Sequence, residues 1–314
     1  MVVAEVIQFS FNVLFRASIY VLVAIGLSII FGSLQYVNMA HGALYLFGAY
    51  LGYVIAGTNQ YSDGILAGMG QFGLDAGFVA ALVVVPIVVF LAGVVMEHFL
   101  AKPFYDRPLL DQLLVTFGIL LVFQEVVGEI FGKSSLLYPR PDWLLGAFEL
   151  PGIGVPPGFE SVSTVRVIAV LLTLVLIGVI VAFYRYTNYG LAVRAGTEDT
   201  EMTRLLGIRV DRPFLLIFAI GAAYAGIGGL LGGFQFGFSY QSGVEIIIPA
   251  LVIVIMGGVG SLRGTILASL LAGLSVAVVG VFVPSMSTAS IYVLAIIVLA
   301  FRPNGLFESE AIAQ

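Results

Sequence analysis

Apolar residues run through this chain in nine long blocks, at residues 11–31, 39–55, 77–100, 113–131, 165–183, 214–233, 244–256, 265–283 and 289–301. Several reach the roughly 20 residues that a membrane-spanning helix needs. Two fall short. Block 244–256 contains Pro249 and gives way to Gly257, Gly258 and Gly260, which predicts a broken or re-entrant segment sheltered by its neighbours, because unpaired backbone is tolerated at membrane depth only when protein covers it. The pattern therefore predicts an all-α, polytopic membrane helix bundle with eight or nine crossings, forming one domain over residues 1–314.

The polar interruptions give the bundle a direction. Residues 184–212 are the long, strongly charged break, carrying Arg185, Arg194, Arg204, Arg209 and Arg212. An excess of Arg and Lys marks the side that is not translocated, so this loop is cytoplasmic, with Lys102 and Arg107 on the same side. The loop at 132–164, with Pro139, Pro141, Pro151, Pro156 and Pro157, is external: a connector or a docking face for an external protein. If all nine blocks cross, the N-terminus lies outside and Arg302 inside. Glu5 and Arg16 at the start of the chain do not make the basic region of a cleaved signal peptide.

Composition sharpens this picture. Hydrophobic residues make up 60% and charged residues 10% of the 314 positions, with a mean hydropathy of +1.11, which excludes a soluble domain of ordinary makeup. The net charge of −5 says little about partners, and nothing suggests nucleic acid. The absence of cysteine removes disulfides, thiolate metal sites and a cysteine nucleophile.

Most of the chemistry-bearing motifs are weak. Gly128 to Ser134 imitates a phosphate loop but has three residues between its glycines where four are needed, so ATP chemistry belongs to a partner or is replaced by an ion gradient. Glu125, Glu129 and Lys133 recur every four residues on one helical face, and an interhelical pair with Arg166 is the expected role of Glu125, with a proton relay as the alternative. His41 and His98 stand without companions at metal spacing. Glu97-His98 is expected to snorkel at a cytoplasmic helix end, and His41 either caps the helix it opens or lines an internal gate with Asn38. Small residues from Gly221 to Gly233 predict a close-packing helix. A faint echo links 38–43 with 258–265, each a polar turn opening a small-residue helix at the cytoplasmic level.

The Arg-rich loop holds the most specific feature. Residues 196–206 have helical spacing, with Glu198 and Asp199 early and Arg204 late as the helix dipole prefers. Met202, Leu205 and Leu206 form an apolar patch, and Gly207 stops the helix. A helix lying on lipid would favour a basic polar face, whereas this one carries Glu198, Asp199 and Glu201, so a protein groove is the better partner.

With these residues in view, the chain resembles the permease subunits of branched-chain amino-acid ABC importers, the LivH type, and more distantly ribose-type permeases. The matching pieces are Gly26-Leu-Ser-Ile-Ile-Phe-Gly32, Asn38-Met-Ala-His-Gly42, Arg194-Ala-Gly-Thr-Glu198 through Leu205-Leu-Gly207-Ile, Gly257-Gly-Val-Gly-Ser261 and Arg302-Pro-Asn-Gly-Leu-Phe307. The chain departs from the family at Thr203, Arg204, Leu205 and Leu206, where small residues are usual. The resemblance implies a prokaryotic plasma-membrane transport subunit without an ATPase site or a cofactor of its own. ATP and Mg would sit on two cytoplasmic ATPase subunits, alongside a second homologous permease, an external substrate-binding protein and membrane lipid. Glu198, Asp199, Met202, Leu205, Leu206 and Gly207 would couple to the ATPases. The translocation pathway would involve Asn38, His41, Gln235, Gly257, Gly258, Gly260 and Ser261, a weakly polar passage that leaves selectivity mostly to the binding protein. A urea or other small-solute ABC permease, or an ion-coupled secondary transporter, is the alternative.

Overall fold

The computed structural model describes residues 2–69, 71–138, 147–149 and 161–307. Its helices are α1 (Val2–Leu34), α2 (His41–Ala56), α3 (Gly77–Met96), α4 (Leu109–Phe131), α5 (Thr164–Tyr186), α6 (Asn188–Glu198), α7 (Thr200–Leu205), α8 (Asp211–Phe236), α9 (Ser242–Gly257), α10 (Leu262–Phe282) and α11 (Ala289–Phe301). Two short antiparallel pairs, Asn59–Gln60 with Gln71–Phe72 and Ala147–Glu149 with Ser161–Ser163, lie in the connections. Among the described residues six helices are long and apolar enough to cross a membrane, with α2, α9 and α11 shorter. The proline-rich stretch of the loop at 132–164 lies outside the described residues.

The bundle is built around α1 and α8, which are buried on nearly every side because α8 offers almost no side chains along its middle. A Cβ on Gly221 would lie 2.8 Å from the Gly26 carbonyl of α1, and one on Gly226 would lie 2.7 Å from Val89 of α3. Backbones that close need glycine, which is how helices gain packing when lipid offers no hydrophobic drive for their association.

The two ends of the bundle are marked by polar contacts. At one end the Ser33 and Tyr184 hydroxyls meet at 3.1 Å, joining the ends of α1 and α5, and Lys102 lies 3.6 Å from Asp211 at the start of α8. At the other, the Asp63 carboxylate accepts from the Lys133 backbone N–H at 2.8 Å, and the backbones of Leu136 and Phe238 exchange hydrogen bonds of 2.8 and 3.0 Å. The first end carries the Arg-rich loop and is the cytoplasmic one by charge.

Between these ends, α2 and α9, 16 residues or about 24 Å each, fall short of a full crossing. The His41 Nε2 lies 3.2 Å from the Val23 carbonyl, deep in α1, so α2 starts mid-membrane. Gly42 abuts Gly243 at the start of α9, and Gly243 also touches Leu120, the central residue of α4. From this meeting point α2 runs to the external end and α9 to the cytoplasmic end. Residues 35–40 and 237–241 complete the two crossings without helix; extended, six and five residues reach about 20 and 17 Å.

Such backbone needs partners in a region without water, and one stripe of α4 supplies several of them. Gln112, Thr116, Leu120, Gln124 and Gly128, four residues apart, are the buried face of that helix. The Gln112 side-chain carbonyl accepts from Val37 N–H at 3.1 Å and the Thr116 hydroxyl from Met39 N–H at 3.1 Å. Leu120 packs on Gly243 and Gly128 on the Tyr240 ring. The 237–241 break closes on itself as well, Ser239 N–H donating to the Ser242 hydroxyl at 3.0 Å.

Several expectations change here. Pro249 sits inside an unbroken α9, and the irregular backbone precedes that helix. The 38–43 turn opens α2 in the middle of the bundle, unlike the 258–265 turn, which opens α10 at the cytoplasmic end. The helix expected over 196–206 is two helices, because Asp199 leaves helical geometry to cap α7, its carboxylate accepting from Met202 N–H at 2.8 Å.

Candidate functional site

At the cytoplasmic end, α7 stands between the Asp199 cap and Gly207, whose φ of +82° ends the helix in a conformation that favours glycine. Thr203 faces inward and is buried, while Met202, Leu205 and Leu206 are 53, 76 and 73% exposed. An isolated helix of this length is not stable in water by itself; here the Asp199 cap and the buried Thr203 hold it while the apolar trio stays exposed. Arg204 and Lys102 both lie 3.6 Å from the Asp211 carboxylate, tying α7 to the segment after α3. All three side chains are about half exposed, so these pairs contribute little stability and mainly set position.

Behind α7 opens a polar cavity of about 640 Å³ whose walls include Glu97, Lys102, Arg107, Glu198, Arg204 and Asp211. Glu97 occupies a π-helical turn, Glu97–Ala101, that closes α3. It is buried rather than snorkelling: the Tyr105 hydroxyl donates to its carboxylate at 3.0 Å. Burial, reinforced by that carboxylate, pushes the Tyr105 hydroxyl well above its ordinary pKa, so it remains a donor at any physiological pH. His98, in contrast, is exposed.

The proposed pathway residues fall at three depths. Asn38 and His41 are fully buried at the mid-membrane junction, and both polar atoms of the Asn38 side chain and the His41 Nδ1 lack a hydrogen-bond partner. The His41 side chain does not cap α2; it reaches back to α1. Gln235 lies in the last turn of α8 at the external end. Gly257, Gly258, Gly260 and Ser261 form the cytoplasmic turn between α9 and α10, where Ser261 caps α10 through Gly264 N–H at 3.1 Å and the backbones of Leu306 and Phe307 bond to Met256 and Gly257 at 2.9 and 3.2 Å. A Cβ on Gly260 would sit 3.0 Å from the Gly32 Cα. The structure thus brings Asn38 and His41 together, and separates them from Gln235 and from the turn.

On the external side, Glu125 and Glu129 both pair with Lys133, at 3.0 and 3.4 Å, on an exposed face of α4. Lys133, not Arg166, is the partner of Glu125, because the end of α4 brings the ammonium back over its own last turns. Beneath them a cluster of rings, with Tyr53, Tyr138 and Phe238 pairwise 5.5–5.6 Å apart, packs the ends of α2 and α8 together.

Two groups escaped the sequence pattern. The α4 stripe was visible as polar residues at spacing four within an apolar block. Glu245 was visible as the lone charge of block 244–256; it sits in the first turn of α9, exposed, beside the mid-membrane junction.

Long apolar helices, with two shorter ones whose starts meet inside the bundle, make a polytopic membrane protein of the architecture that transport subunits use. No solved structure matches the chain. The family model described as the branched-chain amino acid transport system permease component matches residues 9–301, and the chain belongs to this family. It is 30% identical over 298 residues to the high-affinity branched-chain amino acid transport system permease protein BraD of Pseudomonas aeruginosa, covering 94% of this chain and 93% of BraD. It is 29% identical to LivH of Escherichia coli K12 and 28% to LivH of Salmonella typhimurium, in each case over 96% of this chain and 94% of the relative.

Proposed function

We propose that this chain is the permease subunit of an ATP-driven importer and forms half of a plasma-membrane pathway for branched-chain amino acids. A second, homologous permease completes the pathway, two cytoplasmic ATPases drive it and an external binding protein delivers the substrate. ATP and Mg are held by the ATPases, and this chain performs no catalysis. The observation that carries the reading is the exposed apolar trio Met202, Leu205 and Leu206 on a capped helix at the Arg-rich end, in a chain that matches a permease family almost throughout. Glu198, Asp199 and Gly207 frame that contact within a single permease domain whose docking loop is 184–212. Asn38 and His41, fully buried, stand behind the passage wall at mid-depth, Gln235 stands toward its external mouth, and the turn of Gly257, Gly258, Gly260 and Ser261 toward its cytoplasmic mouth.

The test replaces Leu205 and Leu206 together by Asp. Both side chains already face solvent in this chain, so the fold tolerates the change, whereas an ATPase groove would have to bury two unpaired charges, at several kcal/mol. Co-purification with the ATPases and amino-acid uptake are expected to be lost together. Unchanged co-purification would reject the coupling role.

A further inference from the structure

Glu245 sets the problem. It lies two residues past Gly243, which touches both Gly42 and the central residue of α4, so its carboxylate is at the middle of the bundle. Its side is exposed, and among the described residues no Lys, Arg or His is within ion-pair distance. An unpaired carboxylate facing hydrocarbon at that depth is strongly disfavoured. It sits in the first turn of α9, beside the positive end of the helix dipole. The face of α9 that carries it must therefore meet something other than lipid.

What continues from Glu245 along that face narrows the chemistry. Ile248, Val252 and Ile255 follow at helical spacing, and below the carboxylate a shallow groove of about 220 Å³ opens between α9 and α11, lined by Val252, Ile255, Tyr292, Ala295, Ile296 and Leu299. Its walls are almost wholly apolar. Above it, polar groups extend toward the external end: Tyr45 is within electrostatic reach of Glu245 and Tyr20, and Tyr20 of Tyr292 and Arg16. Arg16, which donates to the Asn12 side-chain carbonyl at 3.3 Å and stacks 5.1 Å from the Phe236 ring, has no acidic partner in ion-pair contact among the described residues. One track thus carries a carboxylate without an ion-pair partner, an arginine without a carboxylate partner and an aliphatic groove, with the buried Tyr45 behind it. A zwitterion with a branched aliphatic side chain meets complementary groups in turn as it moves along this face.

We propose that the face of α9 and α11 is this subunit's wall of the substrate path, where Glu245 receives the α-ammonium of the passing amino acid and the groove, beginning seven residues or about 10 Å further along α9, is the apolar stretch its aliphatic side chain crosses next. This rests on the importer reading above and assigns part of the selectivity to the permease itself. The second permease faces this wall, so the site is lateral in one chain and enclosed in the complex.

The experiment uses the complete complex in proteoliposomes, with both permeases, the ATPases and the binding protein, and reads leucine uptake beside ATP hydrolysis stimulated by the loaded binding protein. Glu245→Gln keeps the shape and removes the charge; it is expected to lower uptake by about tenfold or more, the factor of one lost charge-assisted contact, with stimulated hydrolysis retained. Glu245→Asp is expected to recover much of the uptake. Val252→Phe narrows the groove and is expected to slow leucine more than valine. Wild-type uptake in Glu245→Gln would overturn the ammonium contact. Loss of assembly or of stimulated hydrolysis in both Glu245 variants would make the residue an interface group and overturn it equally. Equal effects of Val252→Phe on leucine and valine, or none, would assign the groove to lipid or to the second permease. Failure of the unaltered complex to take up leucine at all would instead sink the importer reading, and this proposal with it.

Discussion

Replacing Gly42 by Ala tests the mid-membrane junction directly. In the structure a Cβ at this position would lie 2.5 Å from the Gly243 carbonyl oxygen, 3.2 Å from the Gly243 carbonyl carbon and 3.1 Å from Ile247 Cβ. Ordinary contact begins at 3.4 Å, so the starts of α2 and α9 would have to separate by 3.4 − 2.5 = 0.9 Å. The closest obstacle is backbone on the opposing helix, and no side chain can rotate away to relieve it. Separation would also draw Gly243 off Leu120 and strain the hydrogen bonds by which Gln112 and Thr116 hold the 37–39 segment. Overpacking of this kind costs about 1–3 kcal/mol, against which an Ala in a helix returns at most about 1 kcal/mol. The expected outcome is a lower thermal midpoint of the purified complex and reduced uptake. Gly118→Ala is the control, since a Cβ there meets nothing within 4 Å. It should be neutral or slightly stabilising. If Gly42→Ala and Gly118→Ala behave alike, the two half-helices do not meet as described.

Other consequences can be checked with single substitutions. The Lys133 backbone N–H, first among its partners, holds the Asp63 carboxyl below its ordinary pKa, so the stabilisation is present above the unfolded value and lost as pH falls through the folded one. The unfolding midpoint of the purified complex should therefore fall as the medium is made acid, with Asp63→Asn flattening the dependence. Tyr105→Phe removes the donor to the buried Glu97 carboxylate and should cost about 1–3 kcal/mol, seen as a lower unfolding midpoint; Glu97→Gln in the same background should recover part of it. Thr116→Val leaves the Met39 N–H without an acceptor in a dry region and should cost a similar amount, and Thr116→Ser should retain most of the stability.

Membrane residence, the nine apolar blocks and the Arg-rich loop with its apolar trio were legible in the sequence because they are one-dimensional properties. Hydropathy adds along a segment, Arg residues mark a side wherever they are folded, and Met202, Leu205 and Leu206 share a face by spacing alone. Family membership was legible too, since short motifs keep their order along the chain. Depth was not. That α2 and α9 begin in the middle follows from Gly42 resting on Gly243 and from one α4 stripe satisfying residues 37–39, contacts between segments tens to hundreds of residues apart. Pairing was decided in the same way: Glu125 took Lys133 because the end of α4 brings that ammonium back over it, and Glu97 became buried because a π-helical turn carries it under Tyr105. The sequence alone determines which residues enter the membrane. Only their packing decides which backbone is left without helix, which side chains must compensate for it, and why an acid as conspicuous as Glu245 faces outward at mid-depth.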